Sequence, residues 1–88
     1  MGKVNCFHLD GIDCWFWSQE YRHEPHFHAK KKGHWHVRVH FMKTKDKMIE
    51  RVKGPRGRIS STDVNDLKAD AVIHRAELLK EWEEKTVR

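Results

Sequence analysis

The sequence predicts an α+β domain, a four- to five-stranded, mostly antiparallel sheet packed by one long C-terminal helix. Three observations carry that expectation. Residues 26–41 contain two segments that alternate polar and apolar side chains with period two, as half-buried strands do. Asp10-Gly11 is a hairpin turn dipeptide set between two aromatic-bearing runs. From Val64 onward, apolar residues recur at spacings of three and four, the stripe of an amphipathic helix. A chain of 88 residues is one small domain, residues 1–88, with the sheet in 3–53 and the helix in 62–84.

Residues 3–9 and 12–18 form the first expected hairpin. With a two-residue turn at Asp10-Gly11, Leu9 faces Ile12, Phe7 faces Cys14 and Cys6 faces Trp15. The two thiols then lie on opposite faces and cannot bridge, which fits a reducing compartment. Gln19 to Glu24 is a polar connection, and Pro25 favours extended entry into the next strand.

The next hairpin holds most of the histidines. Phe27 and Ala29 share one face, and His26, His28 and Lys30 the other. Trp35, Val37, Val39 and Phe41 point one way, and His34, His36, Arg38 and His40 the opposite way. A three-residue loop, Lys31-Lys32-Gly33, pairs Ala29 with Trp35 and Phe27 with Val37, placing Gly33 where positive φ is wanted. His28 then stands opposite His36 and His26 opposite Arg38, with Cβ atoms roughly 4.5–5.5 Å apart. Lys43 to Lys47 is a charged turn, Met48 to Lys53 a short further strand, and Gly54-Pro55-Arg56-Gly57 a break. Ser60 to Asp63 supplies capping hydroxyls and an acidic first turn for the helix. Val64, Leu67, Ala71, His74, Leu78 and Trp82 form its stripe, widened by Val72 and Leu79.

The net charge is +5 and unevenly spread. Residues 1–60 hold 13 Lys and Arg against 6 Asp and Glu, whereas residues 61–88 hold 5 against 7. A basic sheet backed by a mildly acidic helix invites a polyanion such as nucleic acid, although a solvated surface accounts for the same excess. No apolar run is long enough to span a bilayer and the N-terminus turns polar at once, so a cytoplasmic protein without membrane association is expected.

His26, His28, His36 and Arg38 are the candidate catalytic residues, with Lys30, Lys32 and His40 as candidate substrate-binding residues. One imidazole would take a 2′-hydroxyl proton, another would protonate the leaving oxygen, and Arg38 would stabilise the phosphorane charge of RNA cleavage. Alternatively, His26, His28 and His36 would hold a transition metal such as zinc, with Glu24 or Asp46 as oxygen ligands; the cations Lys30 and Arg38 in the same row oppose this. The plain alternative is a strand face that meets solvent. A non-catalytic interaction module is a further reading, and docking through the sheet edge another. Trp15, Trp17 and Trp35 are base-stacking candidates or simply packing residues. His74 fits a boundary position, and Glu77 is placed to hold an arginine of the sheet.

Glu24-Pro25-His26-Phe27-His28-Ala29, the charged hairpin after it and the helical His74-Arg75-Ala76-Glu77-Leu78-Leu79-Lys80-Glu81-Trp82 give the chain a family likeness. It resembles a small bacterial family known only as a domain of unknown function, number four-one-six-zero. Members carry Glu-Pro-Pro-His-x-His-Val or Pro-Pro-His-Phe-His after an aromatic strand and end in a helix with Glu-Leu and a Trp. The likeness runs over roughly residues 11–84. This chain has one proline, Pro25, where members often have two, and either Arg22 or His23 takes the upstream polar position. Family genes often neighbour another small domain, as in toxin–antitoxin operons. The resemblance therefore implies a toxin, or the partner protein of one, with a cognate antitoxin or partner.

Overall fold

The computed structural model of the chain describes residues 2–17, 24–52 and 59–86. The break expected at Gly54 to Gly57 and the upstream position assigned to Arg22 or His23 lie outside the described residues. The alternating residues form the centre of a five-stranded antiparallel meander. Its strands in chain order are β1 (Gly2–Lys3), β2 (Asp13–Phe16), β3 (Phe27–Lys31), β4 (Trp35–Val39) and β5 (Ile49–Arg51). Two helices follow, α1 (Ser61–Ile73) and α2 (Arg75–Lys85). The class is α+β, as the sequence predicts, with the C-terminal helices packed on one face of the sheet.

Alternation fixes which side chains go inward. Phe27 and Ala29 on β3, Trp35, Val37 and Val39 on β4, and Phe16 on β2 are all buried, together with Phe41 and Met48. Leu67, Ala71, Leu78 and Trp82 close over them from the helices. Each large apolar side chain taken out of water contributes about 1.5–3 kcal/mol. Edge-to-face contacts of Phe16 with Trp82 (6.2 Å between centroids) and with Phe27 (6.5 Å) orient the rings. Val72 is exposed rather than widening the helical stripe.

The histidine hairpin differs from expectation in register but not in facing. Ala29 pairs with Val37, Phe27 with Val39 and Lys31 with Trp35, around a loop of Lys32, Gly33 and His34. Gly33 takes φ +78°, and the His34 amide donates to the Lys31 carbonyl at 2.9 Å. A two-residue slip preserves every facing, so the hydrophobic pattern alone cannot exclude it. The extra rung also suits Lys31, whose stem runs on the core side while Nζ reaches Asp63 of α1 at 3.5 Å.

The first hairpin is shorter than expected. Leu9 does face Ile12, but the ladder resumes only at Lys3 opposite Trp15 and Gly2 opposite Phe16. The intervening chain leaves the sheet for α2, where the Glu81 carboxylate accepts from the Asn5 and Cys6 amides at 2.9 and 3.0 Å. Lys85 Nζ donates to that carboxylate and to the Lys3 carbonyl, fastening the N-terminal segment to the last helix. Cys6 therefore does not face Trp15, and both cysteines are free thiols.

In place of the single helix expected over 62–84, α1 and α2 are separated at His74, which takes φ −102°, ψ 19°. Hydrogen bonds from His74 N to Asp70 O and from Leu78 N to His74 O carry on across the junction. The His74 ring stacks on Phe7 at 5.7 Å and pairs with Glu77 at 2.9 Å, so Glu77 holds this histidine and not an arginine of the sheet. Arg75 Nε donates to the Phe41 carbonyl at 2.8 Å, tying α2 to the segment after β4. Among the described residues no helix is long and apolar enough to cross a membrane.

Candidate nucleic-acid interface

The face of the sheet turned away from the helices carries Trp15 and Trp17, His28 and Lys30, His36 and Arg38, and Glu50. His26 and His40 extend the β3 and β4 rows by the same alternation. Because the register is shifted, His28 stands opposite Arg38 and His36 opposite Lys30. The two imidazoles still meet on the diagonal, with His28 Nδ1 and His36 Nε2 3.0 Å apart, one of them carrying the proton between them. Trp15 stacks on His28 at 5.3 Å and leans on His36 at 5.3 Å, while Trp17 stacks on His28 from 5.0 Å. His28 is thereby only 2% exposed. Its position makes it a support for the face rather than a group that reaches a ligand.

His26 lies where the chain enters β3. Its Nδ1 donates to the Glu24 carbonyl at 2.8 Å, and its ring packs against His28, His40 and Trp82 at 5.2–5.4 Å. The His40 ring sits beside it, with Nε2 donating to Glu50 at 2.9 Å. Glu50 also lies 3.6 Å from Arg38, and Lys43 lies 3.4 Å from Glu24. The hydrogen bond from His40, with Arg38 adding to it, holds the Glu50 carboxyl below its ordinary range.

These groups surround an open cavity of about 510 Å³ lined by Glu24, His26, Arg38, His40, Lys43, Lys47 and Glu50. Three cations, Arg38, Lys43 and Lys47, face two carboxylates there, beside two imidazoles. The cavity gathers Glu24, His26, Arg38 and His40 from the sequence candidates. His28, His36 and Lys30 belong to the adjoining part of the face, and Lys32 lies exposed in the hairpin loop. Glu50 was not legible as a site residue from the sequence. Its strand is only three residues long, too short for alternation to announce a face, and pairing with Arg38 is what places it.

The metal reading of His26, His28 and His36 gains no support from the grouping of side chains. Among the described residues no three His, Cys, Asp or Glu side chains are grouped to hold a metal ion. His28 Nδ1 and His36 Nε2 are hydrogen-bonded to each other, and His26 Nδ1 is turned to a backbone carbonyl. Asp46 instead accepts from Thr44 at 2.6 Å. Thiolate chemistry is equally remote, since burial pushes both Cys6 and Cys14 up to about 12.

No curated protein and no solved structure matches the chain. The family model described as Domain of unknown function (DUF4160) matches residues 11–83, a span running from the turn before β2 through most of α2. That span includes every residue lining the cavity, and the chain belongs to the DUF4160 family.

Proposed function

We propose that the protein binds RNA through the cavity on the polar face, with the ribose-phosphate backbone held by Arg38, Lys43 and Lys47. The observation that carries this reading is the convergence of those three cations with His26 and His40 around one open cavity. A guanidinium offers a planar fork to a phosphate, and the two ammonium groups supply mobile point charges around it. Glu24 and Glu50 hold Lys43 and Arg38 in the free protein and would yield them to phosphate oxygens. Half to two-thirds of protein–nucleic-acid hydrogen bonds go to the backbone in well-studied DNA complexes, and a cavity of this lining suits that kind of contact.

Cleavage is the second reading, favoured by the His26 and His40 rings standing 5.4 Å apart beside Arg38. In it His40, oriented by Glu50, exchanges the proton of the 2′-hydroxyl or of the leaving oxygen, and Arg38 steadies the charge on the phosphorus oxygens. A toxin-like role, or that of a partner subunit, would draw on the same binding surface.

The test is to incubate the protein with an end-labelled oligoribonucleotide in excess chelator and to follow both retention and strand length. Retention that weakens with added salt and falls in Arg38→Ala supports binding. Cut strands with a bell-shaped pH profile, lost in His40→Ala, add the cleavage reading. No retention at low salt would remove both.

A further inference from the structure

The cavity adjoins an indole that the contacts above leave unexplained. Trp17 is 46% exposed, yet it is held in place by stacking on His28 with ring centroids 5.0 Å apart and planes 27° apart. His28 is itself fixed, buried beneath Trp15 on one side and edge-on to His26 at 5.2 Å. His26 lines the cavity, and His28 stands directly opposite Arg38, a second lining residue. Trp17 is therefore one ring away from two walls of the cationic cavity, on the same face of the sheet. An isolated exposed aromatic needs no explanation. An oriented one near a cluster of cations has the two parts that single-strand binders combine, a stacking surface and a charged groove.

We infer that Trp17 is a stacking platform for an unpaired nucleobase, so that the ligand of the cavity is single-stranded RNA. The inference rests on the RNA reading of the cavity and adds to it the form of the strand. A base in a duplex keeps its faces against its neighbours and cannot lie on the indole without leaving the stack. The backbone contacts at Arg38, Lys43 and Lys47 make no such demand. The platform thus supplies the discrimination between single and double strands that the cations do not, and it accepts any base because each has a π-face. The buried His28 ring beneath the indole limits its rotation, so little ordering remains to be done on binding.

The experiment is a fluorescence titration of the protein with three ligands: a short oligouridylate, the same strand paired with oligoadenylate, and inorganic polyphosphate. Wild type, Trp17→Ala, Trp17→Phe and Arg38→Ala are compared after thermal melts show each to be folded. Trp17→Ala is expected to weaken oligouridylate binding about 5- to 150-fold and to leave polyphosphate binding unchanged, with Trp17→Phe restoring most of the loss. Wild type is expected to bind the single strand more tightly than the duplex. If Trp17→Ala weakens neither ligand, or both alike, while Arg38→Ala weakens all three, the platform is overturned and the cavity reading stands. Wild type that binds the duplex as well as the single strand also overturns it. If wild type binds polyphosphate but no RNA, or binds none of the three, the RNA reading fails and the platform with it.

Discussion

Some side chains on the polar face are held mainly by their neighbours in the fold. His28 is enclosed by Trp15, Trp17, His26 and His36, so its loss should be felt in stability before function. His28→Ala is expected to cost about 2–5 kcal/mol, the range for large-to-small changes at buried sites, readable by denaturant melts. Alternation placed His28 on the right face, but period two says nothing about what else covers that face, and its burial was not legible. Glu81 is a second support. Burial alone would raise its carboxyl pKa; the Lys85 ammonium, the Asn5 amide and the Cys6 thiol outweigh that and lower it below the ordinary value of 4.5. Glu81→Ala leaves two amides without their acceptor and is expected to cost about 1–3 kcal/mol. Because the folded pKa is depressed, this stabilisation is fully present above the ordinary carboxyl value and is lost as pH falls through the lowered one. The melting-temperature gap between wild type and Glu81→Gln should therefore be wide at neutral pH and should narrow as pH falls below the ordinary carboxyl range. An equal gap throughout would show that the carboxylate charge is not involved.

At the scale of elements, turn and cap chemistry was readable and exact pairing was not. Ser60 caps α1 by accepting from the Asp63 amide at 3.1 Å, within the hydroxyl-rich run the sequence displays. Ser60→Ala is expected to lose about 0.5–2 kcal/mol, and helical ellipticity should melt earlier with it. Gly33 sits at φ +78° with open space around its missing Cβ, so Gly33→Ala meets no clash and only the backbone penalty remains. That penalty is about 1–2 kcal/mol for a residue with a Cβ in this region, and a loss much larger than this would mean the loop does more than turn. The hairpin register moved by two because the hydrophobic pattern is unchanged by an even slip, and the pairing of Lys31 with Trp35 settled it. The first hairpin lost its middle because Glu81, some 75 residues away in sequence, competes for the Asn5 and Cys6 amides. A contact of that range leaves no local trace in composition or periodicity.

For the molecule as a whole, the layout follows the uneven charge. The basic first 60 residues build a sheet whose polar face holds the cavity, and the more acidic remainder covers the opposite face as helices. The histidine row, Arg38 and the basic excess led to the expectation of a polyanion site from the sequence alone. The part contributed by Lys43, Lys47 and Glu50 required the turn after β4 and the pairing of β5 to bring them together. Binding that rests on three cations should weaken steeply with ionic strength, with a slope of log K against log salt of at most about −2 for single strands. The most direct measurement is an amide and indole NMR titration of labelled protein with a short single-stranded RNA. The expected shifts fall on Arg38, His40, Lys43 and Lys47 and on the Trp17 indole, leaving the exposed apolar groove of Met42, Val72 and Ile73 unmoved. Shifts confined to that groove, or no shifts at low salt, would contradict an RNA site on the sheet.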